Sequence, residues 1–207
     1  MSHFAQAERQ ALCDLFDEVG PDAPTLCAGW QASDLAAHLV VRERRPDAAA
    51  GVLVAALAGY LDRVQRSVRD GRSWPALVAE VRRGPPAVLR PVDEPVNTAE
   101  YFIHHEDVRR AVEVWEPRAL EAGLEVALWR RARFMARRAG RRLGAVLAVE
   151  WPGHGRVVTG AGEPAATVSG PPGELLLYLF GRQAAARVGT AGDPAVVERA
   201  GRADLGI

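Results

Sequence analysis

Two ionisable residues four positions apart, Glu100 and His104, form the pattern in this sequence that most clearly suggests chemistry. In a helix such residues lie on one face, and this face also carries the apolar Tyr101 and Val108. A carboxylate and an imidazole on an apolar face are costly unless they are paired or bind a metal ion. If His38, an isolated histidine in an earlier apolar segment, lies on a facing helix, it would complete a set of three ligands. One carboxylate and two imidazoles suit Zn²⁺, and Fe²⁺, Ni²⁺ and Mn²⁺ remain open.

The same residues also allow interpretations that involve no metal. Asn97 and Glu100 have the spacing of a capping box, in which a glutamate in the first turn bonds back to the helix cap. His38 could equally be a core histidine that is bonded to a backbone carbonyl. The spacing alone leaves these interpretations open beside the metal site.

Neighbouring residues refine the choice of ligand. His105 is turned by about 100° from His104 around the helix, so we favour His104. Asp107, one turn beyond His104, is placed to orient an imidazole by a hydrogen bond. Three protein ligands leave a fourth position open for water or a substrate thiolate, as in catalytic rather than structural zinc sites.

The elements that carry these residues are predicted to be helices. Apolar periodicity and capping signals predict helices over about 2–19, 33–44, 52–69, 74–83, 97–115 and 120–143. The proline-rich stretch 84–95 is predicted to be a loop. The last of these helices has an apolar arc opposite a cluster of arginines, which could hold an anionic partner or form a solvated face.

Beyond residue 143 the pattern changes to short apolar segments separated by Gly and Pro. These predict strands at about 146–151, 156–159, 166–169 and 186–188, with helices at about 173–180 and after Pro194. The chain is therefore predicted to be α+β, with a helical metal-binding domain over 1–143 and a small α+β domain over 144–207.

Composition limits the function classes. The 26 basic and 26 acidic residues cancel, so the overall charge gives no case for nucleic acid or an anionic membrane. No apolar run approaches the ~20 residues of a membrane span, and the first residues predict an amphipathic helix rather than a signal peptide. Cys13 and Cys27 are too far apart for a CxxC pair, which favours two small buried thiols in a reducing compartment. We therefore expect a cytoplasmic protein without a membrane or nucleic-acid partner.

Two segments match patterns that occur together in one known family. Leu26–Leu39 contains Gly-Trp, Asp-Leu and His-Leu in order, and Asn97–Val108 contains Glu-x-x-x-His-x-x-Asp. Together they resemble the mycothiol-dependent maleylpyruvate isomerase family of the DinB-like superfamily, and the match is nearest to an actinobacterial branch. A short Gly-Arg element at Gly181 and Arg182 is similar to one in the C-terminal domain of that family.

The resemblance implies a DinB-like four-helix bundle in which His38, Glu100 and His104 hold a divalent metal, most simply Zn²⁺. It also implies an enzyme that uses a low-molecular-weight thiol, mycothiol, as cosubstrate. The metal would bind the thiol as a thiolate, which would add to a small electrophilic substrate. Elimination after bond rotation would give cis–trans isomerisation, and a stable adduct would give S-transfer.

Arg182 is then the candidate for holding a substrate carboxylate through bidentate hydrogen bonds. Two other functions stay open beside the thiol-dependent enzyme. One is a metal-dependent hydrolase, and the other is a metal-binding protein without catalysis that serves as a sensor or an interaction module. No sequence feature identifies the substrate.

Overall fold

The computed structural model describes residues 3–45 and 58–205. It divides the chain into two compact units, one that ends at Glu116 and one that begins at Pro117. Within the described residues, the first unit is helical and the second combines helices with a four-stranded sheet. The α+β class predicted from the sequence is confirmed.

The N-terminal unit is built from helices that bury their apolar faces against one another. The described helices are α1 (Phe4–Val19), α2 (Ala32–Arg44), α3 (Ala58–Asp70), α4 (Trp74–Arg83) and α5 (Arg90–Arg109), with a 3₁₀ turn at Ala87–Leu89. Helix α1 packs against α4 and α5, while α2 packs against α3 and α4. The fully buried side chains of this core include Leu12, Phe16, Leu35, Leu39, Leu77 and Tyr101. The first part of the helix predicted over 52–69 lies outside the described residues.

Helix α5 is longer at its start and shorter at its end than predicted. The stretch 84–95 was predicted to be a loop, yet α5 already begins at Arg90. Pro91 lies in the first turn, where the missing N–H costs no intrahelical bond, and Pro95 removes one bond further along. The helix ends at Arg109 rather than near Trp115.

This earlier start rules out the capping interpretation of Glu100. Both Asn97 and Glu100 lie inside α5, well beyond the first turn. The Asn97 side chain bonds Glu43 and Asp93 instead of capping the helix. Glu100 is therefore free of a local capping role.

The start of α1 is capped by another helix. Its first backbone N–H groups, those of Phe4 and Ala5, donate to the carboxylate of Glu94 on α5 at 2.9 and 3.1 Å. Such bonds satisfy donors that a helix leaves unpaired at its N-terminus. Ser2, the predicted cap of this helix, lies outside the described residues.

The C-terminal unit packs three helices with one mixed sheet. The elements are α6 (Ala122–Leu143), β1 (Leu147–Trp151), β2 (Gly155–Val158), β3 (Ala166–Ser169), α7 (Pro172–Leu179), β4 (Gly189–Gly192) and α8 (Pro194–Arg202). The strand order is β2-β1-β3-β4. Strand β1 runs antiparallel to β2 and parallel to β3, and β4 runs antiparallel to β3.

The last strand is the least well predicted element of this unit. We expected it over 186–188, whereas β4 is Gly189–Gly192 and consists of small residues without an apolar pattern. Its position is set by pairing with β3, with Gly189 opposite Ser169 and Gly192 opposite Ala166. Tertiary pairing here overrides local propensity.

The boundary between the units differs from the predicted one. We expected α6 to belong to the first domain, but the structure places it in the second unit, where it packs against α7, β1 and β2. Its predicted apolar arc is buried, and it includes Leu128, Ala132, Met135 and Ala139. The arginines on the other side of α6 are exposed or half-buried.

Helix α6 approaches the sheet closely at Gly140. A Cβ at this position would overlap the side chain of Thr159, so only glycine allows the approach. Because this contact and the apolar arc tie α6 to the sheet, the boundary lies between Glu116 and Pro117 rather than after residue 143. None of the described helices is both long and apolar enough to cross a membrane.

Candidate metal centre

Three side chains from two helices of the N-terminal unit converge on one point. His38 lies on α2, and Glu100 and His104 lie on successive turns of α5. Oε1 of Glu100 is 3.5 Å from Nε2 of His38 and 3.3 Å from Nε2 of His104. The three donor atoms all lie within 4.8 Å of one another.

The loop before α2 fixes the position of His38. Gly29 turns the chain with a φ of 76°, a conformation that favours glycine. The helix then begins after Gln31, whose backbone N–H donates to the Asp34 carboxylate at 3.0 Å. Trp30 packs against His38, with ring centroids 5.2 Å apart. The imidazole of His38 thus lies in contact with Trp30 and with His104, whose ring centroid is 5.4 Å away.

The second nitrogen of His104 is held by a buried carboxylate. Nδ1 lies 2.9 Å from Oδ2 of Asp107, which is fully buried. An Nδ1–H donor to this carboxylate leaves the Nε2 lone pair for a ligand, which is how metal-binding histidines are commonly oriented. Cys27 donates from Sγ to the same Oδ2 at 3.2 Å, and the Leu26 N–H donates to the Asp107 carbonyl. The loop before α2 is thereby fastened to α5 beside the centre.

The charges around Glu100 favour its ionised form. Burial by itself would raise the pKa of this carboxyl, but hydrogen bonds from His104 and His38 and the charge of Arg42 outweigh burial and hold the pKa well below its usual value. For His104, burial would lower the pKa. Hydrogen bonds to Asp107, Cys27 and Glu100 outweigh that effect and raise it well above its usual value. Both directions favour a Glu100 carboxylate next to a protonated His104.

Arg42, one turn beyond His38 on α2, supports the carboxylate from a second direction. Its Nε lies 3.1 Å from Oε1 of Glu100, and its Nη1 donates to Oδ1 of Asn97. The guanidinium therefore joins Glu100 to the Asn97 side chain, about one turn earlier on α5. A carboxylate held in this way keeps its orientation toward the two histidines.

A buried polar cluster continues from Asn97 to α1. Glu43, 5 % exposed, accepts hydrogen bonds from Arg9, Asn97 and the Tyr101 hydroxyl. Arg9 also forms an ion pair with Asp93 at 2.6 Å. Burial, followed by the negative charge of Glu43, raises the pKa of Tyr101 well above its usual value. This cluster joins α1, α2 and α5 next to the candidate centre.

The donor set fits a divalent ion. Two imidazole nitrogens and one carboxylate oxygen are ligands that Zn²⁺ accepts, and they leave one tetrahedral position for another ligand. The side chains of His38, Glu100 and His104 remain 14 %, 19 % and 10 % exposed, so the cluster reaches solvent. A centre with this exposure can admit an exogenous ligand.

A polar cavity of about 270 Å³ adjoins helix α2, which carries His38, and the loop that precedes this helix. Its wall includes Trp30, which contacts His38, and Ala37, the preceding residue of α2. Gln65 and Arg66 of α3 also line it. The cavity offers space for a polar molecule beside the Trp30 contact.

The predicted ligands are brought together, and the neighbouring histidine is kept apart. His105 points to α1, where its Nδ1 lies 3.0 Å from Oε2 of Glu8 in a buried pair. The core-histidine interpretation of His38 is not supported, because its polar neighbour is a carboxylate oxygen. Arg182 belongs to the C-terminal unit, where its Nη1 donates to the carbonyl of Phe180. Its proposed role toward a substrate remains a prediction.

Sequence reasoning missed two residues of the centre. Arg42 stands four positions after His38, so the helical spacing that selected Glu100 and His104 could have selected it too. Cys27 was expected to be a small buried thiol; both cysteines are free, but Cys27 is only half-buried and bonds Asp107. Cys27, His104 and Asp107 form a second set of potential metal donors that shares His104 with the first. No spacing rule links a loop cysteine to a helix 80 residues later.

Comparisons with models of protein families, with curated proteins and with solved structures found no match for this chain.

Proposed function

We propose that this chain is a divalent-metal protein whose ion is held by His38, Glu100 and His104. The observation that supports this most directly is the convergence of two Nε2 atoms on one carboxylate oxygen, while Asp107 occupies the other nitrogen of His104. Zn²⁺ is the ion that this donor set suits best.

We further propose that the protein is a thiol-dependent enzyme of the maleylpyruvate isomerase type, with mycothiol as the cosubstrate. Support comes from the motif order in the sequence, from the spacing of the ligands and from their partial exposure. The N-terminal helices would then correspond to a DinB-like four-helix bundle, in which α2 and α5 supply the ligands. The reaction would be an isomerisation or an S-transfer on a small electrophile.

A bound divalent ion would supply a lower pKa for a coordinated thiol, as metals do for coordinated sulfur and water. The protein's own residues provide the rest. Asp107 keeps Nε2 of His104 available, and Arg42 keeps Glu100 oriented toward both histidines. Arg182 remains the candidate for holding a substrate carboxylate by bidentate bonds.

The proposal is tested by loading the protein with Co²⁺ and titrating in mycothiol or a close analogue. We expect a new thiolate-to-metal absorption that saturates with thiol and fades in acid, because only the thiolate binds a metal. A His38→Ala protein treated identically is the control and should show neither metal uptake nor the band.

Other outcomes of this titration would distinguish the alternatives. A Co²⁺ spectrum that is unchanged at saturating thiol would contradict thiol dependence and favour hydrolysis or metal binding without catalysis. Substrate profiling of the metal-loaded protein would then separate these two. Absence of Co²⁺ uptake by the wild-type chain would contradict the metal centre itself.

A further inference from the structure

A second cavity, of about 530 Å³, lies in the N-terminal unit among the start of α1, the end of α4 and the start of α5. Its wall contains four arginines, Arg9, Arg82, Arg83 and Arg90, and none of the proposed metal ligands. Its volume falls within the range of small-molecule sites. The cavity is thus a candidate site separate from the metal centre.

One arginine of this cavity, Arg9, is buried and bound by the protein. Arg9 is 3 % exposed, and its two Nη atoms bond Glu43 and Asp93. Its Nε has no hydrogen-bond partner among the described residues. This Nε is shielded from solvent, and the guanidinium lies over the Tyr101 ring at 4.4 Å, so Arg9 is held in place by the protein.

Gly84 lies directly against this guanidinium. A Cβ at position 84 would lie 3.2 Å from both Cζ and Nη1 of Arg9, so any other residue would press on the guanidinium. The φ of +74° at Gly84 also favours glycine. The missing side chain therefore allows the backbone at Gly84 to pass close to Arg9.

The carboxylates in the cavity wall are already satisfied within the protein. Asp93 accepts hydrogen bonds from Arg9 and Asn97, which together with its nearby positive charges outweigh burial and lower its pKa. Glu94 accepts from the two backbone N–H groups at the start of α1. Neither carboxylate is left to recruit a cation.

Two of the arginines nearer the solvent have guanidinium groups that bind no other described residue. Arg82 is occupied by ion pairs with Asp14 and Asp17. Arg83 and Arg90 are exposed and make no ion pair or side-chain hydrogen bond with any described residue. The unpaired charge of the cavity is therefore positive and is carried by guanidinium groups, which bind carboxylate and phosphate oxygens bidentately.

We propose that this cavity binds a small organic anion through a carboxylate or phosphate group. Arg83 and Arg90 hold the anionic oxygens, and the buried Arg9 forms part of the cavity wall behind them. The proposal does not depend on the metal centre.

The test is calorimetric titration of the full-length, metal-loaded protein with inorganic phosphate and, separately, with succinate. We expect saturable binding of at least one of these probes. Tighter binding of phosphate assigns a phosphoryl group to the ligand, and tighter binding of succinate assigns a carboxylate. Replacing Arg83→Gln and Arg90→Gln together should weaken binding by roughly tenfold or more for each guanidinium removed. Both side chains are exposed and pair with no residue of the described ranges, so the variant should keep the wild-type circular dichroism spectrum.

Two control variants make the result specific. Arg63→Gln removes an exposed arginine of α3 that donates to the Gly59 carbonyl and does not line the cavity, and it should leave the affinity unchanged. His38→Ala removes a proposed metal ligand and should also leave it unchanged, because His38 does not line the cavity. Loss of binding in His38→Ala would place the anion at the metal centre and overturn the proposal. The proposal is equally overturned if neither probe binds saturably, or if the double variant binds as tightly as wild type.

Discussion

At the residue scale, the orientation of His104 depends on one buried carboxylate. Asp107 is fully buried, and its Oδ2 receives both the imidazole Nδ1 and the Cys27 thiol. Histidine can ligate through either nitrogen, so the partner of one nitrogen decides which remains available. In this centre Asp107 selects Nε2, the atom that faces Glu100.

Replacing Asp107→Asn should therefore weaken metal binding without removing a proposed ligand. An amide can present its NH₂ group to Nδ1 and reverse the preferred tautomer. The expected loss in affinity is about 10–100-fold, the usual effect of removing such a partner. Competition with a chromophoric chelator measures it, with the exposed Glu113→Gln as control. Wild-type affinity in Asp107→Asn would show that the imidazole is oriented by other contacts.

Two of the three ligand candidates, Glu100 and His104, could be found from the sequence because they share one face of α5. Helical spacing joined Glu100 to His104 and separated His105, which pairs with Glu8 instead. Spacing could not place Cys27 beside Asp107, because that contact depends on the fold of the loop before α2. Contacts within one helix follow from periodicity, whereas contacts between distant segments require the tertiary structure.

At the scale of elements, three helices are joined by the buried polar cluster around Glu43. Its carboxylate on α2 bonds Arg9 on α1 and both Asn97 and Tyr101 on α5. A buried charge is costly unless its partners are retained, so losing one member leaves the others unsatisfied. The cluster therefore fixes how α2 meets α5, on which the geometry of the centre depends.

The variant Glu43→Ala should lower the free energy of unfolding by about 3–5 kcal/mol, the usual cost of breaking a buried ion pair. Three buried donors would lose their acceptor. Urea denaturation followed by circular dichroism measures the change. The control is Glu18→Ala on the exposed side of α1, which should cost no more than about 0.5 kcal/mol. Equal midpoints for the two variants would contradict a structural role for the cluster.

Most of the element types, but not all of their boundaries, could be predicted. Helix α4 begins after Ser73 and ends just before Gly84, as its proline and the glycine that follows it indicate. Helix α5 begins earlier than predicted. Its prolines suggest a loop, although a proline in the first turn is compatible with a helix. Local signals identify helices well, but they locate ends poorly where tertiary contacts stabilise them.

At the scale of the whole molecule, the division into units determines which segment can carry the metal alone. All three proposed ligands lie before Glu116, and α6 belongs to the unit that follows. The sequence pattern placed α6 with the preceding helices because it is itself a helix. Its apolar arc is instead buried against α7 and the sheet, so α6 belongs to the second unit.

Two truncated chains test this division. A chain that ends at Glu116 should fold, give a helical spectrum and bind metal with wild-type stoichiometry. A chain that ends at Leu143 should aggregate more readily, because the apolar arc of α6 loses the elements that cover it. Size-exclusion chromatography and metal analysis of both chains provide the comparison. A chain ending at Glu116 that loses its metal while the longer one keeps it would favour the boundary predicted from the sequence.

The most direct test of the metal centre is the metal content of three proteins purified in parallel: wild type, His104→Ala and His105→Ala. The two histidines are adjacent in sequence and both buried, but only His104 faces Glu100. We predict about one divalent ion per chain in wild type and in His105→Ala, and a small fraction of that in His104→Ala. Near-stoichiometric metal in His104→Ala, together with its loss from His105→Ala, would contradict the assigned centre.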